Sequence, residues 1–457
     1  MTAARTVTVI GGGLAGITAA IRLADSGSRV TLLESRPRLG GLTHSFRRGD
    51  LDIDNGQHVF LRCCTSYRAL LDRLGTSHLT ELQPRLDVPV VSGWKTARLR
   101  RNSLPAPLHL GRSLASYAVL APADRLRAVR GAMALRGVDR DDPRTDDISF
   151  GEWLSRHGQN GATVDALWDL VGVATMNVHA DEASLAVAAT VFQLGLLTDA
   201  AAGDIGWSAV PLQRLHGDAA TDVLAAAGAQ VRLRSRVRGL DRDGTGWLVR
   251  TDDDSVASDA VVVATDPAQA EALLPADALP QPAGWAAALG AAPIVNVNVL
   301  VDRVVLAEPF VAVVGSDVQW VFDRTRQSGL ATARNGAQLL AVSLSAADDV
   351  IDLPVAELRV RLMPALEAVV PALRDATVLD FFVTREPQAT FRPRPGSAAL
   401  RPASRTALPG LVVAGAYTAT GWPATMESAV RSGDAAAAAL LSADINVAQS
   451  PAQAVAV

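Results

Sequence analysis

Thr6-Val7-Thr8-Val9-Ile10-Gly11-Gly12-Gly13-Leu14-Ala15-Gly16 decides the fold of this 457-residue chain, together with the Ala-, Leu- and Ile-rich run that follows at 17–25. A β-branched strand, a G-x-G-x-x-G turn and a helical pattern stand in the order that a dinucleotide-binding unit requires. Gly11 permits the tight turn, Gly13 lets a pyrophosphate approach the backbone, and Gly16 lets helix and strand pack closely. The helix N-terminus is expected to face the phosphates with unpaired N–H groups.

A second strand at 29–33 follows the helix and ends at Glu34. A carboxylate in this place accepts hydrogen bonds from a ribose diol, and its charge repels a 2′-phosphate, so we expect an unphosphorylated adenosine ribose. A lone G-x-G-x-x-G also fits a glycine-rich turn without a ligand, but here strand, helix, second strand and Glu34 fall in register. No second G-x-G-x-x-G occurs, so the sequence predicts no separate NADPH domain.

Composition narrows the class of protein. The chain has 49% hydrophobic residues and a net charge of −4, which fits two domains with sizeable cores and gives no indication of nucleic-acid binding. Its two cysteines, Cys63 and Cys64, are adjacent and form no disulfide framework, so we expect a reducing compartment. The sequence shows no signal segment and no apolar stretch of about 18 residues. We therefore expect a cytoplasmic protein, without a metal site, that contacts a membrane only at its surface.

The segment 94–136 differs from the rest of the chain in charge. It contains nine basic residues and only one acidic residue, Asp124, and leucines lie between the basic residues. The basic residues are Lys95, Arg98, Arg100, Arg101, Arg112, Arg125, Arg127, Arg130 and Arg136. Basic residues interleaved with leucines and an aromatic are typical of a segment that lies on a membrane. The alternative is a pair of helices whose arginines face water, so peripheral association with the inner face of the cell membrane stays an open hypothesis.

Arg38-Leu39-Gly40-Gly41, followed by Thr43 and Ser45, resembles the doublet-glycine motif of the flavoprotein amine oxidase and carotenoid desaturase superfamily. The resemblance implies that the dinucleotide is FAD. The superfamily usually has a second arginine directly after the glycine doublet, and this chain has Leu42 there. One expected phosphate contact is therefore missing from the motif.

A second strand, glycine-rich turn and helix at 409–433 resemble the closing segment of the same superfamily. By that resemblance the segment holds the ribityl chain and ring of the flavin, with a helix N-terminus near Pro423 directed at the pyrimidine carbonyls. A helix N-terminus there stabilises an anionic reduced flavin. The superfamily often has Asp after the glycine that ends this strand, where this chain has Ala416.

The expected fold class is α/β, with a Rossmann-like FAD-binding domain, discontinuous in sequence, and an α+β substrate-binding domain of mixed sheet and helices. The FAD-binding domain is expected at 1–75, 205–285 and 400–445, the substrate-binding domain at 76–204 and 286–399, and a flexible tail at 446–457. Strand-like runs at 230–234, 247–251 and 259–264 return the chain to the first domain. Runs at 293–301, 320–323, 339–344 and 378–383 predict an antiparallel sheet in the second.

By the resemblance, the expected cofactor-binding residues come from the first βαβ unit, the doublet-glycine loop, the loop at 55–58 and the closing segment. They are Gly11, Gly13, Leu14, Ala15, Gly16, Glu34, Ser35, Arg38, Gly40, Gly41, Leu42, Gly56, Gln57, His58, Val237, Gly415, Ala416, Pro423, Ala424 and Thr425.

A narrower resemblance rests on segments from the middle and end of the chain. The segments 54–58, 173–177, 293–297 with 319–323, 388–391 and 421–433 resemble the hydroxysqualene dehydroxylases, the squalene-associated FAD-dependent enzymes of bacterial hopanoid pathways. This implies reductive removal of an allylic hydroxyl from a long isoprenoid, with a hydride from N5 of reduced FAD. The FAD would be reduced by an external reductant, either NAD(P)H or a reduced flavin or electron-transfer partner. Such chemistry requires an acid near the hydroxyl and a dry apolar tunnel. His58 is the first hypothesis for the acid and Asp54 the second.

Three alternatives remain open from the sequence. A carotenoid-type desaturase has the same expected fold and runs the hydride transfer in the opposite direction. An amine oxidase needs an aromatic cage, for which Tyr417 and Trp422 are the candidates, although only 4% of the residues are aromatic. The third alternative is a flavin-binding protein without catalytic activity in a complex for lipid synthesis.

Overall fold

The computed structural model describes residues 4–333 and 336–449. Its strands are β1 (Thr6–Ile10), β2 (Arg29–Leu33), β3 (Ser45–Arg48), β4 (Leu51–Asp54), β5 (Val59–Leu61), β6 (Thr80–Leu82), β7 (Asp87–Ser92), β8 (Lys95–Arg100), β9 (Ile205–Ser208), β10 (Gln230–Arg232), β11 (Val237–Asp243), β12 (Gly246–Thr251), β13 (Ser255–Ser258), β14 (Ala260–Val263), β15 (Ala291–Val301), β16 (Phe310–Val313), β17 (Trp320–Asp323), β18 (Gln338–Leu344), β19 (Val378–Phe391) and β20 (Leu411–Val413).

The α-helices of the described residues connect and cover these strands. They are α1 (Leu14–Asp25), α2 (Thr65–Leu74), α3 (Gly111–Ala115), α4 (Pro122–Arg136), α5 (Pro143–Asp146), α6 (Phe150–Arg156), α7 (Gly161–Thr163), α8 (Asp169–Met176), α9 (Leu185–Phe192), α10 (Ala219–Ala226), α11 (Pro267–Leu273), α12 (Trp285–Leu289), α13 (Leu330–Ala333), α14 (Val355–Val369) and α15 (Met426–Gln449). Helical turns of π type occur at Val164–Trp168, Gln193–Leu197 and Gln213–Asp218.

A five-stranded parallel sheet in the order β10-β2-β1-β14-β20 forms the base of the molecule. Val7 and Val9 of β1 point into a core formed with α1, α2, α10 and α15. Ile10 points to the other side, where a three-stranded antiparallel sheet, β11-β12-β13, packs together with α11 and α12. A parallel sheet has to be covered on both faces, and the continuous β-branched character of β1 and β14 reflects this. The predicted α/β fold is confirmed.

A seven-stranded sheet in the order β19-β15-β18-β17-β16-β7-β8 forms the second large layer. Its neighbours are antiparallel except for β16 and β7, which run parallel. Leu358, Leu362 and Leu366 of α14 cover one face of this sheet. The four strands predicted between 293 and 383 are present, but the sheet is mixed rather than purely antiparallel, and the sequence did not predict β7, β8 or β16.

The segment 94–136 is not a pair of helices. It begins with the strand β8, and α3 and α4 follow after a loop. Three of its arginines pair with acids outside the segment, namely Arg98 and Arg100 with Asp87, and Arg101 with Asp204. The apparent excess of positive charge in the sequence is therefore partly neutralised by the fold.

The chain leaves the parallel sheet after β2, returns to it at β10 and β14, leaves again, and returns at β20. The division into two domains at the expected boundaries remains a prediction.

The last helix, α15, continues to Gln449. The expected tail at 446–457 therefore lies, from residue 450 onward, outside the described residues. Among the described helices, none has both the length and the apolar character needed to cross a membrane.

Candidate functional site

The turn between β1 and α1 forms a cradle for a pyrophosphate. A Cβ on Gly16 would overlap the carbonyl oxygen of Gly11, which is why helix and strand can approach here only without a side chain. A Cβ on Gly13 would meet only the Cα of Gly41, at 3.9 Å, so the space in front of this residue is open. The first hydrogen bond of α1 runs from Ile17 N to Gly13 O, which leaves the N–H groups of Leu14, Ala15 and Gly16 available to an anion.

Glu34 closes the cradle at the end of β2. Its carboxylate is buried and accepts hydrogen bonds from the backbone N–H groups of Gly12, at 2.7 Å, and Arg36, at 2.6 Å. The Ser35 hydroxyl donates a further bond, of 3.2 Å. Ser235 N donates to the backbone carbonyl oxygen of Glu34 at 2.8 Å, so the chain two residues before Val237 is tied to the end of β2. Glu34 therefore fixes the glycine turn, and a carboxylate has acceptor positions left for a ribose diol.

The doublet-glycine loop lies directly against the turn. Gly40 N donates to Gly12 O at 2.8 Å, and a Cβ on Gly41 would come within 2.8 Å of the Cα of Gly13. Burial lowers the pKa of Arg38, and its neighbour Arg36 adds to this shift, while Glu34 opposes it. Leu42, which stands in place of the usual second arginine, is 44% exposed. The loop thus adds a cation, Arg38, and a closely packed stretch of backbone to the cradle.

The closing segment meets the same region from the other end of the chain. α15 starts at Met426, three residues later than expected, and the Thr425 hydroxyl caps it by accepting a bond of 3.3 Å from Ser428 N. A Cβ on Gly433 would overlap the carbonyl oxygen of Ala15, so α15 and α1 cross in close contact. Gly415 N donates to the Ser432 hydroxyl at 2.8 Å. The expected residues Gly415, Ala416, Pro423, Ala424 and Thr425 therefore lie around the start of α15, beside α1.

Arg401 holds the loop between β20 and α15, and the sequence did not single it out. Its guanidinium donates to the carbonyl oxygens of Ala416, Tyr417, Thr418 and Trp422 and to the Thr420 hydroxyl, at 2.6–3.5 Å. The group is buried and lies over the Phe391 ring at 4.6 Å. Burial lowers its pKa to about 10, so it stays protonated at neutral pH. A buried cation is therefore fixed behind the segment expected to hold the flavin ring.

Asp54 is at the centre of a buried polar cluster. Its carboxylate forms an ion pair with Arg324, which is 270 residues away in the chain. It also accepts bonds from the Ser45 hydroxyl, at 2.6 Å, and from Leu212 N, at 3.0 Å. The carboxylate thus accepts bonds from an arginine and from two further donors. Through these bonds Asp54 cross-links elements that are far apart in the sequence.

His58 lies next to this cluster, and its tautomer is fixed. Its Nδ1 is 3.0 Å from the carbonyl oxygen of Gly56, which can only accept, so Nδ1 carries the hydrogen and Nε2 is left as an acceptor. Burial lowers the pKa of His58, against the opposing effects of that hydrogen bond and of Asp54, so the ring is neutral at pH 7. A charge on His58 would lower the pKa of two further histidines, His44 and His216, whose pKa values burial already lowers. The sequence had not named them.

Polar atoms without partners gather beside His58. Gln57 Oε1, Asn296 Oδ1 and Asn298 Nδ2 are buried and have no hydrogen-bond partner within residues 4–333 and 336–449. A Cβ on Gly56 would meet Asn296 Nδ2 at 3.3 Å and His58 Cε1 at 3.5 Å, so Asn296 and His58 both lie against this glycine. Gln57 and Asn298 also line a small polar cavity with Asp54 and Arg324. Asn296 and Asn298 alternate with valines on β15, a pattern that signals a polar face on a buried strand.

The aromatic pair considered for an amine cage does not form one. Tyr417 is buried and packs against Trp285, with ring centroids 5.7 Å apart. The guanidinium of Arg431 covers the Trp422 ring at 5.0 Å.

Cys63 and Cys64 are free thiols. In the part of the chain that the structure describes, no group of three or more His, Cys, Asp or Glu side chains is arranged to hold a metal ion.

The parallel sheet, the glycine cradle and the terminal carboxylate define a dinucleotide-binding α/β protein. The chain belongs to the family of flavin containing amine oxidoreductases, whose model matches residues 14–441. The residues of the cradle fit FAD, because free N–H groups, an open glycine and a carboxylate for the ribose all face one site. FAD is the cofactor, and the protein is an FAD-dependent oxidoreductase.

Relatives with two different activities are similar over the whole chain. The hydroxysqualene dehydroxylase of Sinorhizobium fredii is 29% identical over 458 residues, covering 96% of this chain and 99% of that one. The zeta-carotene desaturase of Synechocystis sp. is 25% identical over 477 residues, covering 95% and 97%. The solved structure of cyclohexylamine oxidase from Brevibacterium oxydans has a TM-score of 0.67 at 19% identity, covering 97% and 100%, which shows the fold alone.

Proposed function

We propose that this oxidoreductase reductively removes the hydroxyl group of hydroxysqualene to give squalene. The observation that carries the proposal is the group of buried, unpartnered polar atoms beside His58: Gln57 Oε1, Asn296 Oδ1 and Asn298 Nδ2. Leaving a buried polar atom unpaired costs about 1–3 kcal/mol. A substrate hydroxyl donates and accepts hydrogen bonds and can satisfy such atoms, whereas a pure hydrocarbon leaves them unpaired.

The proposed reaction breaks one C–O bond and forms one C–H bond. The hydroxyl takes up a proton that comes from solvent through the charged form of His58 and leaves as water. An allylic cation is generated and accepts a hydride, so each turnover consumes one proton from solvent and one hydride, with its two electrons, from an external reductant. Bound, reduced FAD supplies hydride chemistry. The chain's own residues bind the hydroxyl, orient it and keep the cation away from water.

We propose different roles for the two residues first considered as acids. Asp54, with its Arg324, Ser45 and Leu212 partners, is a positioning residue that holds β4 and the loop at 55–58 in place. His58, with Nδ1 bound to Gly56 O, offers Nε2 to the substrate hydroxyl as an acceptor at neutral pH. It donates a proton only when the ring is charged, and burial opposes that charge.

The test is a direct comparison of substrates. The FAD-loaded protein is incubated without oxygen with hydroxysqualene and dithionite, and separately with zeta-carotene and a quinone as oxidant, and the lipids are identified by mass spectrometry. We expect squalene from the first reaction and no new carotenoid from the second. Desaturated carotenoid without squalene would contradict the proposal, and flavin that turns over with neither would favour a role without catalysis.

The Asn296→Leu variant tests the observation itself. The change keeps the shape of the side chain and removes its polar atoms, so the hydroxyl loses a partner and squalene formation should fall about tenfold, the equivalent of about 1.4 kcal/mol. Flavin absorbance reports whether the variant still binds FAD. Unchanged squalene formation at full FAD occupancy would remove Asn296 from the substrate site.

A carotenoid desaturase is the second candidate, and one observation favours it. His58 is neutral with a free Nε2, which suits a base that accepts a proton after hydride has left a hydrocarbon. In that reaction the polar atoms beside His58 have no substrate group to bind. The two candidates therefore predict different effects of Asn296→Leu. Turnover should fall if the protein is a dehydroxylase and should stay unchanged if it is a desaturase.

A further inference from the structure

The outer face of α4 carries apolar side chains that no described part of the chain covers. Leu126 is 52% exposed, Val129 41% and Met133 51%. They stand at i, i+3 and i+7, so they form one stripe along the helix. The opposite face is buried through Ala128, Gly131 and Leu135. The helix is thus apolar on both sides, and only one side is packed.

Unpaired arginines border this stripe. Arg130 and Arg136 lie on the flanks of the outer face of α4, and Arg112 lies on α3, which contacts α4. Within the described ranges these three side chains have no hydrogen bond or ion pair, and all three are exposed. The only acid of α4, Asp124, is on the inner side and is engaged by Arg127 and Asn160. The outer face of α4 is therefore positive, and neither α3 nor this face carries a carboxylate of its own.

Other arginines of the segment serve the fold. Arg125 donates to the carbonyl oxygens of Leu120, at 3.0 Å, and Ala115, at 2.5 Å, and so joins α3 to α4. Arg127 is bound to Asp124 at 2.7 Å. Reversing the charge of these two residues would disturb the packing of α4, so they are unsuitable probes of a surface role.

We infer that the outer face of α4, with Leu126, Val129, Met133, Arg130 and Arg136 and with Arg112 beside it, docks on an anionic phospholipid surface. A stripe of medium-sized apolar residues flanked by arginines matches the boundary between acyl chains and anionic headgroups, where apolar side chains insert and the guanidinium groups reach phosphates. A row of exposed apolar side chains along a helix, bordered only by positive charges, is unusual for a surface that contacts nothing but water.

The inference is compatible with the proposed function but does not depend on it. A long isoprenoid is poorly soluble in water, so a protein that acts on one benefits from docking on a bilayer. The experiment measures binding to vesicles and not turnover, so failure of the docking leaves the proposed reaction untouched, and failure of the reaction leaves the docking untouched.

The test uses FAD-loaded protein and sedimentation with two kinds of vesicle, pure phosphatidylcholine and phosphatidylcholine with phosphatidylserine. We expect binding to the anionic vesicles at low salt and release at high salt, because exposed charges are screened. The triple variant Arg112→Glu/Arg130→Glu/Arg136→Glu should bind at least tenfold more weakly, since each cation near an anionic surface adds to binding. Leu126→Ser/Met133→Ser should also weaken binding, with less dependence on salt.

A matched control separates local from overall charge. Arg29→Glu/Arg359→Glu/Arg374→Glu changes the net charge equally at exposed arginines of β2, α14 and the turn after it, and it should bind as the parent does. Equal loss in both triple variants would overturn the inference, as would a parent protein that ignores anionic vesicles. A third outcome would also overturn the inference: the parent protein does not bind vesicles but forms dimers, and Leu126→Ser/Met133→Ser separates these dimers into monomers. The outer face of α4 would then be an interface with a second copy of the chain.

Discussion

Glu34 is expected to act on FAD in two ways at the residue scale. It offers acceptors to the adenosine ribose, and it holds the glycine turn through Gly12 N and Arg36 N. Glu34→Ala should weaken FAD binding by about 1–2 kcal/mol, the contribution of a charge-assisted hydrogen bond, which is roughly 5- to 30-fold in Kd. Titration of the FAD-free protein with FAD measures the change. Glu34→Gln keeps one acceptor and should lose less.

The two effects of Glu34 can be separated. If Glu34→Ala mainly loosens the turn, the unfolding midpoint of the FAD-free protein falls as well, whereas loss of a ribose contact lowers only the affinity. An unchanged Kd would mean that the ribose is bound by another residue.

Arg401 is expected to order the flavin loop. Arg401→Met removes a guanidinium with five acceptors, and the buried carbonyl oxygens of the loop between β20 and α15 lose their partner. At about 1–3 kcal/mol for an unpaired buried group, FAD affinity should fall tenfold or more. Isothermal titration with FAD measures this.

A matched control for Arg401 lies four residues on. Arg405 is exposed and donates to Ala439 O and the Ser442 hydroxyl on α15, away from the loop. Arg405→Met should leave FAD affinity unchanged. Equal effects of the two substitutions would show that general stability, and not the loop, accounts for the loss.

The residues of the polar cluster show what single positions in a sequence can and cannot reveal. Asp54 and His58 were expected at the site because their loop resembles a known one. The ion pair of Asp54 with Arg324 was not predictable, because 270 residues separate the partners and no local pattern marks Arg324. His44 had a signal, since it lies between Thr43 and Ser45 just after the doublet-glycine motif, and it was overlooked. Asn296 also had one, as a polar residue alternating with valines in a buried strand.

At the scale of elements, the crossing of α1 and α15 brings the two ends of the chain to one site. Gly433→Ala places a methyl group against the carbonyl oxygen of Ala15 and should force the helices apart. Overpacking of this kind costs about 1–3 kcal/mol, and FAD affinity should fall with it because both helix N-termini move. Urea unfolding and FAD titration measure the two effects. Ala435→Ser, at an exposed position of the same helix, should change neither.

Elements with a strong local pattern were predicted, and those without one were missed. The unit β1, α1 and β2 follows from glycine spacing and β-branched runs, and β15, β17 and β18 are apolar enough to recognise. β11 was missed because its outward side carries Arg238, Asp241 and Asp243, which look like a loop in sequence. β7 was missed because its pairing with β16 depends on residues more than 200 positions away, and β8, at the edge of the sheet, pairs only with β7.

At the scale of the whole molecule, side-chain hydrogen bonds connect the layers of the fold. The sequence predicted the order of the elements along the chain but not these connections. The Asn177 amide donates to Ala292 O and to the Thr390 hydroxyl, each at 3.0 Å, and its oxygen accepts from Ala346 N at 2.6 Å. This single buried residue connects the helices at 143–197 to the seven-stranded sheet. Its left-handed backbone, with φ of 58°, ends α8 at the point where the layers meet. Fold class was predictable from the sequence, whereas such connections follow only from the packing.

A buried histidine, His216, and a half-buried one, His44, are expected to make the whole molecule sensitive to acid. Burial lowers the pKa of His216 to about 3 and that of His44 to about 4. An unfolded histidine has a pKa of about 6.5, so between these values the unfolded chain binds protons that the folded chain does not. Their contribution to stability is complete above pH 6.5 and is lost as the pH falls from there toward 4 and 3. The slope is up to about 1.4 kcal/mol per pH unit for each histidine.

Urea unfolding at pH 7, 6 and 5 tests this expectation with His216 as the probe. The ring of His216 shares a hydrogen bond of 2.8 Å with the Tyr67 hydroxyl and is fully buried, so a charge there has no water to solvate it. His216→Gln should lower stability at pH 7, because the packing against Tyr67 is lost, and it should flatten the decline between pH 7 and pH 5. His78→Gln, at an exposed position, should keep the decline of the parent. An equal slope in parent and His216→Gln would mean that groups other than His216 govern the loss of stability in acid.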